Sequence, residues 1–418
     1  MNNYDVIVIG AGVSGLIAAG RAAELGANVL VLEKMRRPGI KLLITGKGRC
    51  NVTNSDSIDD FMKNVHPNGH FLKHALYNFF SNDILDLLHK YNVATVLERG
   101  GRYFPVSDKS SDVLNALLTF VKENGADFCY NCKVNKLLKK QDSVTGVEII
   151  ENGEKKQITA KKVIICTGGK SYPATGSTGD GYILAKSLGH TIEPPFPALV
   201  PIVTKGNLAG QLQGLSLKNI QASVFINGKK RTEAFGEMLF THFGLSGPII
   251  LTLSRLIVKE LINNNKIDIS IDLKPALDNS ILDKRLLRDL NKYGKKQIEN
   301  IFKLWLPAKL VPVFIRKCGL DPIKEGHQIT SVERNKIKLL MKNLRLEVIG
   351  NRSFKEAIIT AGGINTKEID SKTMQSKLSK NLYFAGEVID VDANTGGYNL
   401  QIAYSTGWLA GEACVEAL

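Results

Sequence analysis

Tyr4-Asp5-Val6-Ile7-Val8-Ile9-Gly10-Ala11-Gly12-Val13-Ser14-Gly15-Leu16 is the stretch on which the fold turns. Residues 4–9 form a nearly continuous apolar run, as expected for a parallel strand buried on both faces. The run leads into a G-x-G-x-x-G fingerprint at Gly10, Gly12 and Gly15. Helical periodicity follows over residues 14–25, carried by Leu16, Ala19 and Ala23 and stopped by Gly26. A second apolar strand, Asn28-Val29-Leu30-Val31-Leu32, ends at Glu33, 18 residues after Gly15. A glycine motif alone is a weak sign. A strand before it, a helix after it and an acid at that distance make it a dinucleotide-binding βαβ unit. Gly10 permits the tight turn, Gly12 lets backbone approach a pyrophosphate, and Gly15 allows close helix–strand packing. Val13 and Ser14 open a helix whose free N–H groups would face the phosphates. Glu33, with Lys34 beside it, is placed to bond ribose hydroxyls, and an acid there disfavours a 2′-phosphate.

Working outward, 418 residues suggest two or three domains at ~150 residues each. The 44% hydrophobic and 23% charged content is that of a soluble globular chain. Six cysteines exclude a disulfide scaffold and suit a reducing cytoplasm. The uncharged stretch Val6 to Gly20 has 15 residues, short of the ~18 apolar residues of a membrane span. No basic segment precedes it, so a signal peptide is not expected. The net charge of +15 favours anions: nucleic acid, acidic membranes or phosphorylated cofactors.

A Gly-rich loop runs from Gly39 to Asn54, and residues 70–92 have helical character. Short strands are expected from Lys133 to Ile165, with a hairpin at Glu151-Asn152-Gly153. The strand Lys162-Val163-Ile164-Ile165-Cys166 runs into Thr167-Gly168-Gly169. Pro194, Pro195, Pro197 and Pro201 mark a domain crossing. Beyond it, strands flank an Asn227-Gly228 turn, and Lys266 to Leu273 alternates. The expected architecture is an α/β, Rossmann-type domain over 1–192 and 349–418. It is split by an insert over 193–348, β-rich to 275 and helical from 276. Between Lys274 and Lys342 lie 16 Lys/Arg and 7 Asp/Glu. Aromatics are not interleaved there for base stacking, and no nucleic-acid module is recognised. A solvated helical surface is the expectation, with a small-molecule substrate rather than nucleic acid as partner.

Leu382-Tyr383-Phe384-Ala385-Gly386-Glu387 is an apolar strand ending in Gly-Glu, and Thr395-Gly396-Gly397-Tyr398-Asn399 opens the final helix. At these residues the chain resembles two-dinucleotide-binding-domain flavoproteins of the glutathione-reductase type. The resemblance implies FAD. The strand ending Ala-Gly-Glu would meet the ribityl and pyrophosphate, and the next helix would point at the flavin. It assigns Gly386, Glu387, Gly397, Tyr398 and Asn399 to the cofactor. Thr167, Gly168 and Gly169 match a mid-chain Ala-Thr-Gly element, with Cys166 in place of the alanine. The Val134 backbone would meet adenine.

Three longer segments carry a narrower resemblance: Lys41-Leu42-Leu43-Ile44-Thr45-Gly46-Lys47-Gly48-Arg49-Cys50-Asn51-Val52-Thr53-Asn54, Gly101-Arg102-Tyr103-Phe104-Pro105, and Leu239 to Pro248. Together with Gly386 to Asn399 they resemble the BaiN/HI0933-like flavoproteins, and the likeness covers nearly the whole chain. It implies an FAD-dependent oxidoreductase with an inserted domain. Activities assigned in the family differ: reduction of unsaturated steroid acids, and oxidation of aminoacetone. The implied reaction is hydride transfer between flavin N5 and a small or steroid-like substrate, with NAD(P)H or dioxygen as electron partner. A single fingerprint favours transient or absent NAD(P)H binding. The alternative is an RNA-associated flavoprotein of tRNA-modifying type, or a non-catalytic one.

Within the loop, Gly46 and Gly48 allow close backbone approach to a planar ring. Lys47 and Arg49 can place positive charge near a phosphate or a reduced flavin. Lys41 is grouped with them at the cofactor. Asn51 and Asn54 offer amide donors and acceptors. Cys50 lacks a nearby partner and reads as a small buried thiol. Cys129 and Cys132 precede a strand rather than a helix, and no second pair completes a zinc set, so chance spacing is expected. His242 reads either as a base or substrate contact or as a half-buried strand-end histidine. Asp390 and Asp392 precede the final helix and read as catalytic groups or as loop caps. The candidate catalytic residues are His242, Asn51 and Asp390, and no metal site is expected.

Overall fold

A computed structural model describes residues 3–151 and 153–418, and the chain forms two units. One runs to Pro197 and resumes over Ala357–Leu418; the other is Ala198–Glu356. These boundaries lie five and eight residues beyond the expected 193 and 348. The Asn152 position of the expected hairpin lies outside the described residues.

In the first unit, β1 (Asn3–Ile9), β2 (Val29–Glu33), β3 (Asp127–Tyr130), β4 (Lys133–Lys140), β5 (Ser143–Glu151) and β6 (Glu154–Ile165) share one sheet, in the order β3-β2-β1-β6-β5-β4. The Leu382–Phe384 strand also pairs with β6. Pairing is parallel from β3 through β6 and to Leu382–Phe384, and antiparallel for β5 and β4. Val6, Ile7, Val8 and Ile9 are all buried, which explains why the sequence of β1 carries no alternation. This is a Rossmann-type α/β domain.

Helix α1 (Val13–Glu24) is covered by other helices at glycines. A Cβ on Gly20 would lie 2.3 Å from the Phe120 ring. The terminal helix, Tyr398–Glu416, crosses α1 backbone to backbone. A Cβ on Gly407 would lie 2.5 Å from the Ser14 carbonyl oxygen, and one on Gly411 2.4 Å from that of Ala18. The two glycines, four apart, form a close-packing face that fixes the start of the terminal helix against the fingerprint.

The expected helix over 70–92 is broken. Residues Lys73–Asn78 and Ser81–Lys90 are helical, but Phe79 between them is extended. Its carbonyl accepts from Ser405 Oγ of the terminal helix at 2.6 Å. A tertiary contact overrides the local periodicity.

In the second unit, six strands close an antiparallel barrel: Ile202–Thr204, Gly244–Ser246, Lys229–Phe240, Ser216–Ile226, Ile267–Asp272 and Leu344–Asn351. Asn227 and Gly228 both have positive φ, as a two-residue hairpin of primed type requires. The basic stretch forms the helices Asn279–Lys292, Ile298–Phe302, Val311–Cys318 and Ser331–Lys342. Among the described residues, no helix is long and apolar enough to cross a membrane.

Candidate cofactor site

The three fingerprint glycines do different work. Gly10 has φ +101°, and a Cβ there would lie 2.7 Å from the Cys166 carbonyl oxygen. A Cβ on Gly15 would lie 1.9 Å from the Gly10 oxygen. Gly12 is relaxed at φ −78°, and a Cβ there would meet nothing within 4 Å. That open space stands at the start of α1, whose first turn has neither an acidic residue nor a side-chain cap. Such a helix end presents unpaired N–H groups and partial positive charge. Val13 and Ser14 are buried in this first turn.

Glu33 closes the cradle. One carboxylate oxygen accepts from Ala11 N–H at 2.9 Å and the other from Met35 N–H at 2.8 Å. A carboxylate has about four acceptor positions, so two are left for hydroxyls. An open Gly12, an uncapped helix end and an anchored acid fit the pyrophosphate and ribose of a dinucleotide. Glu33→Ala is therefore expected to weaken FAD by about one to two decades, the worth of a charge-assisted contact of ~1.5–3 kcal/mol. Titration of apoprotein measures it, and unchanged affinity rejects the role.

Gly386 brings the C-terminal strand end to the same place. Its φ is +78°, and a Cβ on it would lie 2.5 Å from Ser14 Oγ. Its N–H donates to Thr406 Oγ1 at 3.0 Å. Glu387 beside it spends its carboxylate elsewhere. It accepts from Lys41 Nζ at 2.6 Å, Ser171 Oγ at 2.8 Å and Thr360 N–H at 2.8 Å. Lys41 also donates to Ser171 at 2.6 Å. Lys41 and Glu387 thus hold each other and the backbone at Ser171 and Thr360; their side chains position the site. Gly169 fits only because it has no side chain, since a Cβ would lie 2.4 Å from Thr360 Oγ1. Gly168 has φ +68°, and Thr167 Oγ1 is buried without a hydrogen-bond partner among the described residues. Val134 is buried in β4. The Lys34 ammonium lies 2.5 Å from both Thr178 and Asp180.

The Lys41–Asn54 loop is held by positive φ at Gly46, Lys47, Gly48 and Cys50. Arg49 does not offer the free charge expected of it. It pairs with Glu98 at 2.5 Å and Asp108 at 2.6 Å, and its guanidinium lies 4.2 Å over Phe104. The Cys50 thiol is fully buried, and burial pushes its pKa up to about 12. A thiol so buried stays protonated and unreactive. Oriented to satisfy its neighbours, the Asn51 amide accepts from Gly397 N–H at 3.0 Å and donates to the Thr53 and Tyr103 carbonyls. Asn54 donates to the Gly396 carbonyl at 2.9 Å. Gly397, at φ +97°, sits where a Cβ would lie 2.5 Å from the Thr53 oxygen. The loop is therefore stitched to the start of the terminal helix through Asn51 and Asn54.

Tyr398 donates its hydroxyl proton to Asp56 at 2.6 Å; burial first, then this bond, raises its pKa. The Asn399 amide is also engaged within the chain. Its amide oxygen accepts from Ala393 N–H at 2.9 Å, and its nitrogen donates to the Ala393 and Asn394 carbonyls at 2.8 and 3.2 Å. It closes its own loop, because the side chain folds back before the helix begins. Asp390 is half-buried, and its N–H donates to the Ile364 carbonyl at 2.9 Å. His242, in the second unit, is exposed and packs edge-on to Phe243 with ring centroids 4.9 Å apart.

Cys129 and Cys132 form a disulfide. Asn131, at φ +56°, reverses the chain after β3 and brings the two sulfurs together. Asn131 N–H donates to the Met35 carbonyl and Cys132 N–H to that of Glu33, so the turn caps the end of β2. The bridge is local, and the other four cysteines are free and buried. Ser171, Thr360 and Gln401 were missed by sequence reasoning. Gln401 is a buried amide that accepts from Thr53 Oγ1 at 2.6 Å and donates to Ser405 at 3.0 Å. No spacing in the sequence singles these residues out.

The family description "HI0933-like protein Rossmann domain" matches residues 4–413. The chain is 30% identical over 417 residues to a ribosomal RNA dihydrouridine synthase of Escherichia coli strain K12, covering 100% of this chain and 99% of that one. It is 30% identical over 411 residues to a 3-dehydro-bile acid delta(4,6)-reductase of Clostridium scindens, covering 98% of each. Among solved structures, a quinol-fumarate reductase with menaquinol molecules aligns with TM-score 0.53 at 18% identity, over 99% of this chain and 71% of that one. At that identity the likeness is one of fold.

Proposed function

The chain belongs to the HI0933-like family of FAD-binding flavoprotein oxidoreductases, and from that premise we propose that it reduces a carbon–carbon double bond conjugated to a carbonyl group. One observation carries the reading. Two relatives, each similar over almost their whole length, bear names with a common chemistry: a delta(4,6)-reductase and a dihydrouridine synthase both saturate such a bond. The substrate here is a small or steroid-like enone acid or a uracil ring.

When bound, FAD supplies the hydride. The chain's own residues bind and orient it. The Gly10–Gly15 turn and the first turn of α1 take the pyrophosphate, and Glu33 takes the ribose. Asn51, Thr53 and Gly397 fix the start of the terminal helix, whose positive end favours negative charge nearby. A conjugated double bond that takes hydride at one carbon needs a proton at the other. His242, exposed beside Phe243, is the proposed donor, and Asp390 is kept as a second candidate. NAD(P)H is the proposed reductant; with a single fingerprint it binds transiently.

Anaerobic stopped-flow mixing tests the reading. NADH or NADPH should bleach the flavin. Cyclohex-2-enone, an unsaturated steroid acid or a uridine-containing RNA should then restore its colour. Bleaching by aminoacetone, with recovery only on admitting dioxygen, overturns it in favour of an amine oxidase. His242→Ala should lower kcat on the order of 10²-fold, the usual worth of a general acid, with FAD content unchanged. Loss of FAD and thermal stability with turnover per flavin preserved would make this histidine structural.

A further inference from the structure

We propose that Cys129, Cys132 and Glu151 bind a zinc ion once the Cys129–Cys132 bridge is reduced, and that the ion then clasps the turn beside Glu33. The inference lies apart from the reaction proposed above and does not depend on it.

Geometry gives the first argument. Cys129 lies in β3, Cys132 just before β4, and Glu151 ends β5. Lys133 of β4 pairs with Ile150 of β5, so the hairpin returns Glu151 to the turn that carries the cysteines. Glu151 Oε1 lies 3.6 Å from Cys129 Sγ and 3.7 Å from Cys132 Sγ. Zinc–sulfur bonds of ~2.3 Å and a zinc–oxygen bond of ~2.1 Å at a tetrahedral angle set sulfur and oxygen ~3.6 Å apart. The carboxylate therefore already stands at the separation that a shared zinc requires. Among the described residues no other three His, Cys, Asp or Glu donors converge in this way. The sequence holds no second cysteine pair. The third donor comes instead from a carboxylate 19 residues beyond Cys132, a spacing that marks no metal motif.

The chemistry of the donors selects the ion. Two thiolates are too soft a set for magnesium or calcium, and a carboxylate is a poor ligand for copper(I). Zinc takes both donor types in one tetrahedron and accepts water in a fourth position. The Lys156 ammonium lies 2.8 Å from Glu151 Oε2, which leaves Oε1 to the sulfurs. Two thiolates and a carboxylate around Zn2+ leave one negative charge, and Lys156 cancels it. Cys129 and Glu151 are half-buried, so reductant and ion reach them from solvent. A dithiol reductant delivers two electrons and two protons to the bridge. The sulfur–sulfur bond breaks, two thiols form, and the dithiol leaves as its own disulfide. Zn2+ then displaces one proton from each thiol as the two zinc–sulfur bonds form.

Position gives the site its consequence. Cys132 N–H donates to the Glu33 carbonyl at 2.9 Å, and Asn131 N–H to that of Met35 at 3.2 Å. Tyr130 pairs with Glu33 across the parallel ladder. The turn thus braces the strand end whose carboxylate holds Ala11 and Met35 N–H. Reduction alone loosens that brace, and zinc closes it again.

The test uses the full-length protein with FAD bound, reduced by a tertiary phosphine and desalted without air. Zn2+ is titrated against a chromophoric chelator, and Co2+ serves as the spectroscopic stand-in, read to the red of the flavin bands. The reduced protein should take up about one equivalent and show thiolate-ligated, tetrahedral cobalt. The oxidised protein should take up none. Glu151→Gln keeps the side chain's shape and should weaken zinc at least about tenfold, the least that loss of an outer-shell partner costs. Cys129→Ser should abolish uptake. FAD release should be faster from the reduced, metal-free protein than from the oxidised one. Zinc should restore slow release to the wild type but not to Cys129→Ser. A bridge that the phosphine leaves intact, equal uptake by oxidised and reduced protein, or unchanged affinity in Glu151→Gln overturns the proposal. So does a cobalt spectrum without thiolate ligation, or FAD release that ignores both reduction and zinc.

Discussion

Gly12→Ala is expected to yield a folded protein that no longer holds FAD. At φ −78° and ψ −175° alanine fits the backbone without strain, and its methyl group would meet nothing within 4 Å. Apoprotein stability should be unchanged or higher by about 0.4–1 kcal/mol, because alanine restricts the unfolded chain more than glycine does. The methyl group would occupy the space through which the backbone reaches a pyrophosphate. FAD affinity should fall at least ~100-fold, or about 2.7 kcal/mol. Gly15→Ala should behave in the opposite way. Its methyl group would lie 1.9 Å from the Gly10 oxygen, so the strand and α1 must separate, and the apoprotein itself should melt early. Thermal melts of the two apoproteins, followed by FAD titration, separate the cases. A yellow Gly12→Ala protein of normal affinity would mean that this turn is not the cradle.

What the sequence made legible is what is local. β1, the glycine turn, α1 and β2 follow one another over residues 3–33, and each step has a period or a breaker to announce it. The glycines of the site belong to the same class, since a positive φ or a close approach leaves a glycine in the sequence. Charged and amide side chains were read less well. Arg49 and Asn399 look available in the sequence, yet each is consumed by partners that spacing cannot reveal: Glu98 and Asp108 for the first, the carbonyls at 393 and 394 for the second. Asn399→Asp would therefore turn a carboxylate towards two carbonyl oxygens. It would report on loop stability before it reported on flavin charge. The Cys129–Cys132 bridge was missed because its cause is a left-handed Asn131, not the helix that such motifs usually precede. Closure of the barrel was equally hidden, since alternation identifies strands but says nothing about which edges meet.

The Lys41–Glu387 pair joins residues 346 positions apart and should show the largest coupling of any two side chains at the site. Both side chains are about one quarter exposed, so the attraction is only partly screened. Glu387→Gln keeps the shape and can still accept from Thr360 N–H or Ser171, but it leaves the Lys41 ammonium without its counter-ion. The expected loss is about 1–3 kcal/mol, less than for a fully buried pair. Lys41→Met removes the cation, while Ser171 and Thr360 continue to satisfy the carboxylate, so its cost should be smaller. In the double variant the stranded charge disappears, and the two losses should fall short of additivity by about 1–2 kcal/mol. Urea unfolding of the four apoproteins gives that number. The same geometry predicts a second effect: Glu387 ties Thr360 N–H to Ser171, so both single variants should release FAD faster than the wild type, and Glu387→Gln the faster of the two. Stabilities that add to within about 0.5 kcal/mol, or equal release rates throughout, would mean that the pair does not brace the loops around Gly169.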